Sequence, residues 1–249
     1  MASSRLEGAY VRGFPQQTAI VTGAARGIGA AMARKLAAQG LSVVVNHPID
    51  DDAAQRVVAA IRDGGGRAIA VRADVSHRDA FEHLFDEATA AFGGVDVLVN
   101  NAGLASNMPI GRIDELTFDR MFAINVRGVL NGLKLAAERM RDNGRIVNIS
   151  TSVAGMSPAG YGSYCASKAA VEALTRSLSK ELGPRGIRVN AVAPGPTGDG
   201  LLTHMSDLTT PLGRIAELED IAEVVAFLVS DSAGWINGQS VRVNGGILS

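Results

Sequence analysis

The 249-residue chain has one cysteine, Cys165, so it can form no intrachain disulfide and its fold does not depend on an oxidising compartment. It has no surplus of either charge: 24 Lys and Arg against 25 Asp and Glu give a net charge of −1. A protein recruited to nucleic acid by electrostatics would carry a basic excess, so no nucleic-acid partner is expected. No apolar run approaches the ~18 residues that span a bilayer, so no membrane partner is expected either. The opening MASSRLEGAYVRGFPQQ lacks the apolar segment of a secretory signal. Residues 1–15 therefore read as a loose leader, and the expected location is the cytoplasm. Four histidines, His47, His77, His83 and His204, lie far apart and in no metal-ligand spacing, so no metal site is expected. Internal repeats are also absent.

What remains is globular in composition, with 47% hydrophobic and 20% charged residues. Glycine is abundant, with 29 residues and no Gly-X-Y period, so the excess belongs to turns and close-approach loops. Short β-branched runs recur at Ala19–Val21, Val43–Val45, Ala68–Val71, Val95–Val99, Ile146–Ile149, Val189–Val192 and Val241–Val243. Bounded apolar runs of this kind suit buried parallel strands. Helix-length segments separate them: Ile28–Gln39, Asp52–Arg62, a stripe of Phe81, Leu84, Phe85, Ala88 and Phe92, then Thr117–Arg141, Ser163–Leu182 and Leu218–Ser230. The alternation predicts an α/β single-domain Rossmann fold over residues 16–249. Its doubly wound parallel sheet of about seven strands would carry helices on both faces, linked by right-handed crossovers. Pro194–Leu212 is rich in Pro, Gly and Thr and reads as a substrate loop rather than a domain boundary.

The first strand runs into Thr22-Gly23-Ala24-Ala25-Arg26-Gly27-Ile28-Gly29, where a helix opens at Gly27. Glycines there permit a tight turn and let backbone N–H groups approach a pyrophosphate, and the helix N-terminus adds partial positive charge. The spacing is Gly-x-x-x-Gly-x-Gly, and a ligand-free βα turn is the plainer alternative. The second strand ends Val45-Asn46-His47-Pro48, without the acid that NAD-selective sites use on the ribose 2′-OH. Arg26 could pair with a 2′-phosphate. Both features favour NADP(H), with NAD(H) as the alternative, because Asp50, Asp51 and Asp52 follow closely. Those three acids also suit the start of the next helix.

Tyr164 and Lys168 stand at i and i+4 early in a helical stretch, so phenol and ammonium share one face. A nearby cation should lower the phenol pKa from ~10 and make the OH a usable acid or base near neutrality. Tyr161 has Cys165 at i+4 and so lacks such a partner. Cys165 has no histidine near it in sequence and reads as a packing residue.

Together these motifs resemble the classical short-chain dehydrogenase/reductase family over about Thr18 to Ile247. The resemblance rests on Thr22-Gly23-x-x-x-Gly27-x-Gly29, Asp74, Asn100-Asn101-Ala102-Gly103, Asn125, Tyr164-x-x-x-Lys168 and Pro194-Gly195 in the family's order. It implies that Tyr164 is the general acid/base and that Lys168 binds the nicotinamide ribose and depresses the Tyr pKa. Asn125 would hold a water that relays protons from Lys168. The cofactor contacts it implies are Gly23, Arg26, Gly27, Ile28, Gly29, Asn46, His47, Asp74, Val75, Asn100, Ala102, Gly103, Lys168, Pro194, Gly195 and Thr197. Ser152 and Tyr161 fall on the substrate side. The family's catalytic Ser slot is Thr151 here, which keeps the hydroxyl; Ser152 could replace it if the strand end bulges. The slot of the family's carboxamide-contacting Thr is Asp199, with Thr197 two residues earlier. The segment after Pro194 brings Leu201, Leu202, His204 and Met205, which suit a partly apolar pocket.

The expected activity is hydride transfer between NADP(H) and a ketone or secondary alcohol. The family's ketoacyl-carrier-protein reductases and sugar or polyol dehydrogenases are the models, and a small-molecule substrate and a homotetramer (or homodimer) are implied. Alternatives are an NAD-dependent sugar or polyol dehydrogenase, a lyase or epimerase that keeps its cofactor, and a dinucleotide-binding sensor or scaffold without catalysis. An acyl-carrier-protein substrate would want a basic rim, for which Arg112, Arg139 and Arg141 are candidates; a solvated charged face explains each equally.

Overall fold

The computed structural model describes residues 17–198 and 210–247. Seven strands form one parallel sheet: β1 (Thr18–Val21), β2 (Ser42–His47), β3 (Arg67–Arg72), β4 (Val97–Asn100), β5 (Arg145–Ile149), β6 (Arg188–Pro194) and β7 (Ser240–Val243). Their order is β3-β2-β1-β4-β5-β6-β7. The chain winds outward from β1 to β3, returns to the other side of β1, and winds outward again to β7. This reversal lies between β1 and β4, which pair Val21 with Val99. The loops leaving their carboxyl ends diverge there and open a crevice, the usual ligand position in such sheets.

The helices are α1 (Gly27–Ala38), α2 (Asp51–Asp63), α3 (Arg78–Phe92), α4 (Glu115–Phe122), α5 (Val129–Arg139), the short α6 (Val153–Met156), α7 (Gly162–Glu181) and α8 (Leu218–Val229). Period-2 alternation sends successive strand residues to opposite faces. Ala19, Val21, Val43 and Val45 join Met32, Leu36, Val57 and Val225 in one core. Ile20, Val44, Leu98 and Ile146 join Phe81, Phe85, Leu133 and Val171 in the other. Because both faces are covered, the strands read as unbroken apolar runs. The expectation of a doubly wound seven-stranded sheet is met.

Local signals fix several boundaries. Asp50 precedes α2 and accepts from Ala53 N at 3.0 Å, and Asp114 does the same for α4 with Thr117 N at 2.8 Å, so both acids act as N-caps. Asp50 thus serves its helix, as its position suggested. Arg145 and Arg188, at the amino ends of β5 and β6, donate to Val229 O and Leu228 O at the end of α8. They satisfy carbonyls that the helix leaves open.

The single helix expected over Thr117–Arg141 is three elements. A π-turn, Ala123–Gly128, separates α4 from α5. One extra residue per turn re-aims the Asn125 side chain, the kind of local break that accompanies a functional position. Tertiary contacts hold the break: Asn125 is bound to Leu104, and a Cβ at Gly128 would come within 3.0 Å of Val75.

Gly132 shows how closely α5 packs: a Cβ there would meet Phe81 Cζ at 2.6 Å and Asn100 Oδ1 at 2.7 Å. Gly132→Ala is therefore expected to lower stability by about 1–3 kcal/mol through overpacking, although Ala is the better helix former. A shift in urea midpoint measures it; an unchanged or raised midpoint would refute the close contact.

Candidate active site

The crevice is built from loops that bind one another. Gly23 adopts φ +62°, and a Cβ on it would lie 2.9 Å from Ala102 Cα. Gly29 is backed by Asn101, whose Nδ2 would lie 2.6 Å from an added Cβ. Thr22 joins the two loops: its hydroxyl accepts from Asn101 N at 2.9 Å and Ala102 N at 3.0 Å and donates to Val99 O. Asn101 Nδ2 returns to Thr22 O and Gly23 O. Asn46, fully buried, accepts from Gly23 N at 3.2 Å and donates to Val71 O and Ala73 O. Expected as a cofactor contact, Asn46 spends its amide on pinning the glycine loop to the tips of β2 and β3. Asn100 behaves alike, with Nδ2 bonded to Asn148 Oδ1 at 2.8 Å.

This cradle fits a dinucleotide. Its glycines let the turn and the loop after β4 approach closely, and it opens α1 with Arg26 at the N-cap, exposed and without an ion pair among the described residues. Gly27 takes φ +57° at the helix start, and Ile28 turns inward onto the core. At the β2 tip His47 is buried, with Nε2 3.5 Å from Asp51 Oδ1 and Nδ1 without a partner. Arg72, its register neighbour on β3, donates to Pro48 O and lies 3.8 Å from Asp51. Asp74 is exposed and its Oδ1 accepts from both Ser76 N and Ser76 Oγ, while Val75 is buried against Gly128.

The second half of the crevice centres on α7. Tyr164 and Lys168 are each only 3% exposed. Lys168 Nζ donates to Ile149 O, at the end of β5, at 2.8 Å. A Cβ on Gly103 would lie 3.4 Å from both Lys168 Nζ and Asn125 Oδ1, so these three positions meet. The Thr151 hydroxyl is near enough to the Tyr164 phenol to lower its pKa. The neighbouring Ser152 instead donates to Ala193 O at 2.8 Å, so of the two hydroxyls Thr151 faces the phenol and Ser152 fastens the loop after β5 to β6. Tyr161 packs with Met121, Val153, Cys165 and Tyr164 in a small apolar cluster. Cys165 is buried with its thiol on Val153 O, as a packing residue would be.

One expectation is corrected here. Tyr164 is not acidified: burial pushes its pKa up to about 12, opposed by the nearby Thr151 hydroxyl, and Lys168 makes no resolved contribution. Desolvation of the phenolate outweighs any pull from an ammonium that is engaged by a backbone carbonyl. Lys168 is itself pushed down to about 8 by burial. The Asn125 side chain binds the protein: its Nδ2 donates to Leu104 O and Ser167 Oγ and its Oδ1 accepts from Leu104 N. Its amide ties the loop after β4 to α7.

Pro194 ends β6, and Gly195 is fixed by close approach, since a Cβ would lie 2.7 Å from Asn244 Cα. Thr197 is buried, with Oγ1 on Gly195 O at 3.0 Å. Asp199, Leu201, Leu202, His204 and Met205, like leader residues 1–15, lie outside the described residues. Arg139 pairs with Asp86 and Arg141 with Asp96. Asp96 sits at the amino edge of the sheet, opposite the crevice, so Arg141 is no part of a rim. Among the described residues no His, Cys, Asp and Glu cluster could hold a metal.

Sequence reasoning gave no role to the Thr22 hydroxyl, to Asn101 or to Ser167. Their partners lie 79, 78 and 42 residues away, so no local pattern marks them.

A doubly wound sheet that gathers a glycine cradle and a buried phenol–ammonium pair at its switch point is the framework of nicotinamide-dependent oxidoreductases of carbonyls and alcohols. The chain belongs to the short-chain dehydrogenase/reductase family: residues 23–248 match the family model described as enoyl-(acyl carrier protein) reductase. It is 39% identical to a 3-oxoacyl-[acyl-carrier-protein] reductase of Staphylococcus epidermidis, over 93% of this chain and 98% of that one. It is 38% identical to a 3beta-hydroxysteroid dehydrogenase of Eggerthella lenta, over 93% of each. Among solved structures, landomycin C-6 ketoreductase with bound NADP and rabelomycin superposes with a TM-score of 0.89 at 38% identity, covering 95% of this chain and 98% of that one.

The buried ammonium has a thermodynamic signature. The folded pKa of Lys168, about 8, lies below the ordinary lysine value of 10.5. Between those values the unfolded chain binds the extra proton, so stability should rise with pH across that window, and the full penalty is present below about pH 8. Lys168→Met is expected to stabilise the cofactor-free protein by up to about 3 kcal/mol at pH 7 and to remove the rise between pH 8 and 10. Thermal unfolding against pH measures both; a variant with the wild-type slope would refute the buried charge.

Proposed function

We propose that the protein transfers a hydride between NADP(H) and a ketone or secondary alcohol, with Tyr164 as the proton donor and acceptor. The observation that carries this reading is the meeting of Tyr164, Thr151 and Lys168 at the carboxyl edge of the sheet, beside Gly103 and opposite the glycine cradle. Bound nicotinamide supplies the hydride; the protein supplies orientation and proton management.

With its pKa raised, Tyr164 stays protonated through neutral pH, ready to donate its proton to a carbonyl oxygen. Thr151 holds the phenol by its hydroxyl and is placed to share the same oxygen. Lys168 remains mainly protonated below about pH 8. Its positive charge beside the phenol opposes the cost of the phenolate once the proton has left. Asn125 acts by position: it fixes Leu104, and with it the Gly103 backbone beside Lys168. Gly23, Gly27 and Gly29 would receive the pyrophosphate and Arg26 a 2′-phosphate. Asp74 and Val75 would face adenine, and Ala102 and Pro194 would wall the crevice. NADP is favoured by Arg26 and by the absence of an acid within Asn46-His47-Pro48 at the β2 tip, and NADP is bound in the ketoreductase neighbour.

The same reading makes residues 16–249 one catalytic domain with its substrate loop at about 194–212. It includes a cytoplasmic enzyme, in keeping with the lone cysteine, and a homotetramer, for which the exposed Leu116 and Phe118 on α4 offer apolar surface.

Tyr164→Phe is expected to reduce turnover of a ketone with NADPH by about 10³-fold or more, with NADPH affinity unchanged. Full activity in the variant, or loss of NADPH binding along with activity, would overturn the assignment, and NADPH binding by the wild type with no turnover of any ketone would favour a sensor. Alcohol oxidation needs the phenolate, so its rate should climb from neutral pH into the alkaline range while ketone reduction holds level to about pH 8; absorbance of the nicotinamide at each pH tests the contrast.

A further inference from the structure

We propose that Glu172 is a positioning residue for the Tyr164–Lys168 pair, acting through Ser150 to set α7 against the end of β5. This inference rests on the proposed carbonyl chemistry at Tyr164 and goes beyond it by adding a residue that no sequence motif marks.

Three consecutive residues at the end of β5 each meet α7. Ile149 O accepts from Lys168 Nζ at 2.8 Å. Ser150 Oγ donates to Glu172 Oε1 at 2.8 Å. The Thr151 hydroxyl lies near the Tyr164 phenol. Just before them, Asn148 Nδ2 donates to Thr175 Oγ1 at 2.8 Å. Lys168, Glu172 and Thr175 stand at i, i+4 and i+7, so they form one seam along the face of α7 that lies on β5. Ser150 is 2% exposed and Thr175 1%, so water competes little for these bonds. The same Glu172 oxygen also accepts from Ser240 Oγ, on β7, at 3.0 Å.

The backbone of Ser150 is already held, since its N–H donates to Val192 O at 2.7 Å. Its hydroxyl is therefore available to tie the helix to the strand. Lys168 by itself is a loose tether, because an ammonium on a flexible four-carbon stem reaches one carbonyl from many helix positions. A carboxylate that accepts a hydroxyl makes a short, directional bond. Glu172 places that bond one turn beyond Lys168. With both bonds made, α7 has little room to slide or rotate, and Tyr164, one turn before Lys168, keeps its place beside Thr151. The precision matters, because a misplacement of about 1 Å can slow a reaction on the order of 100-fold. The plainer use of Glu172 is to fasten the edge strand β7 through Ser240, and the variants below separate the two.

The test uses the full-length enzyme, NADPH and a ketone that the wild type reduces. Glu172→Ala is expected to lower kcat about tenfold while KM and NADPH affinity stay within about twofold. Glu172→Gln keeps an oxygen for both hydroxyls and is expected to bring kcat to within about threefold of wild type. Ser150→Ala removes the other half of the bond and also serves if Glu172→Ala does not fold. It is expected to match Glu172→Ala, and the double variant to be no slower than either single one. Ser240→Ala is expected to leave kcat unchanged. A second readout needs no turnover: carbon-13 NMR of labelled lysine in the cofactor-free protein, with the Lys168 signal assigned by its loss in Lys168→Met. In Glu172→Ala the loosened helix admits water, so the Lys168 titration is expected to move up toward 10.5, and not to rise in Glu172→Gln. Wild-type kcat in Glu172→Ala would overturn the proposal. So would additive losses in the double variant, an equal loss in Ser240→Ala, or a Lys168 titration that falls equally in both Glu172 variants, the mark of charge rather than position. A wild type that binds NADPH and reduces no ketone would defeat the carbonyl reading itself, and the Lys168 titration would still decide whether Glu172 places the lysine.

Discussion

An ammonium group removed from water at the carboxyl end of β5 is the constraint around which the crevice is organised. Lys168 Nζ keeps one protein hydrogen bond, to Ile149 O, and its pKa falls in consequence. That bond fixes where the first turns of α7 lie against the sheet, and so where Tyr164, one turn earlier, must point. Burial is the largest influence on the Tyr164 phenol and raises its pKa. Under the proposed function the pair would begin as a protonated acid beside a cation, a state suited to giving up a proton to a developing alkoxide.

Around this centre the polar side chains mostly bind other loops. Thr22, Asn46, Asn101 and Asn125 use their hydrogen-bonding capacity on backbone groups or on Ser167. Each loop alone would be free to move. Tied together, they hold the glycine turn and the Gly103 backbone at fixed separation, so less ordering is left to be done when a ligand arrives. The π-turn at Ala123–Gly128 belongs to the same device, since it sets Asn125 against Leu104 and Ser167.

Much of the fold was legible because it is written in short-range patterns. Buried parallel strands read as apolar runs, α3 as a stripe, and the start of α2 as an acid three residues before the N–H it accepts. The site was legible as a set of motifs in order, and Tyr164 and Lys168 as an i, i+4 pair. The break in the helix after Glu115 was not, because residues 117–141 have good helical patterning and the disruption comes from Leu104 and Val75, distant in sequence. The choice between Thr151 and Ser152 was also open in the sequence, since both carry a hydroxyl and only the path of the chain past Ala193 and Tyr164 tells them apart.

The sequence by itself determined the layered α/β architecture, the glycine turn and which residue types reach the crevice, since periodicity and residue chemistry are local properties. The tertiary structure alone decided the protonation behaviour of Tyr164 and Lys168 and the diversion of Asn46, Asn125 and Ser152 to holding loops. Those depend on burial and on partners dozens of residues away, and desolvation exists only once the chain has closed over the group.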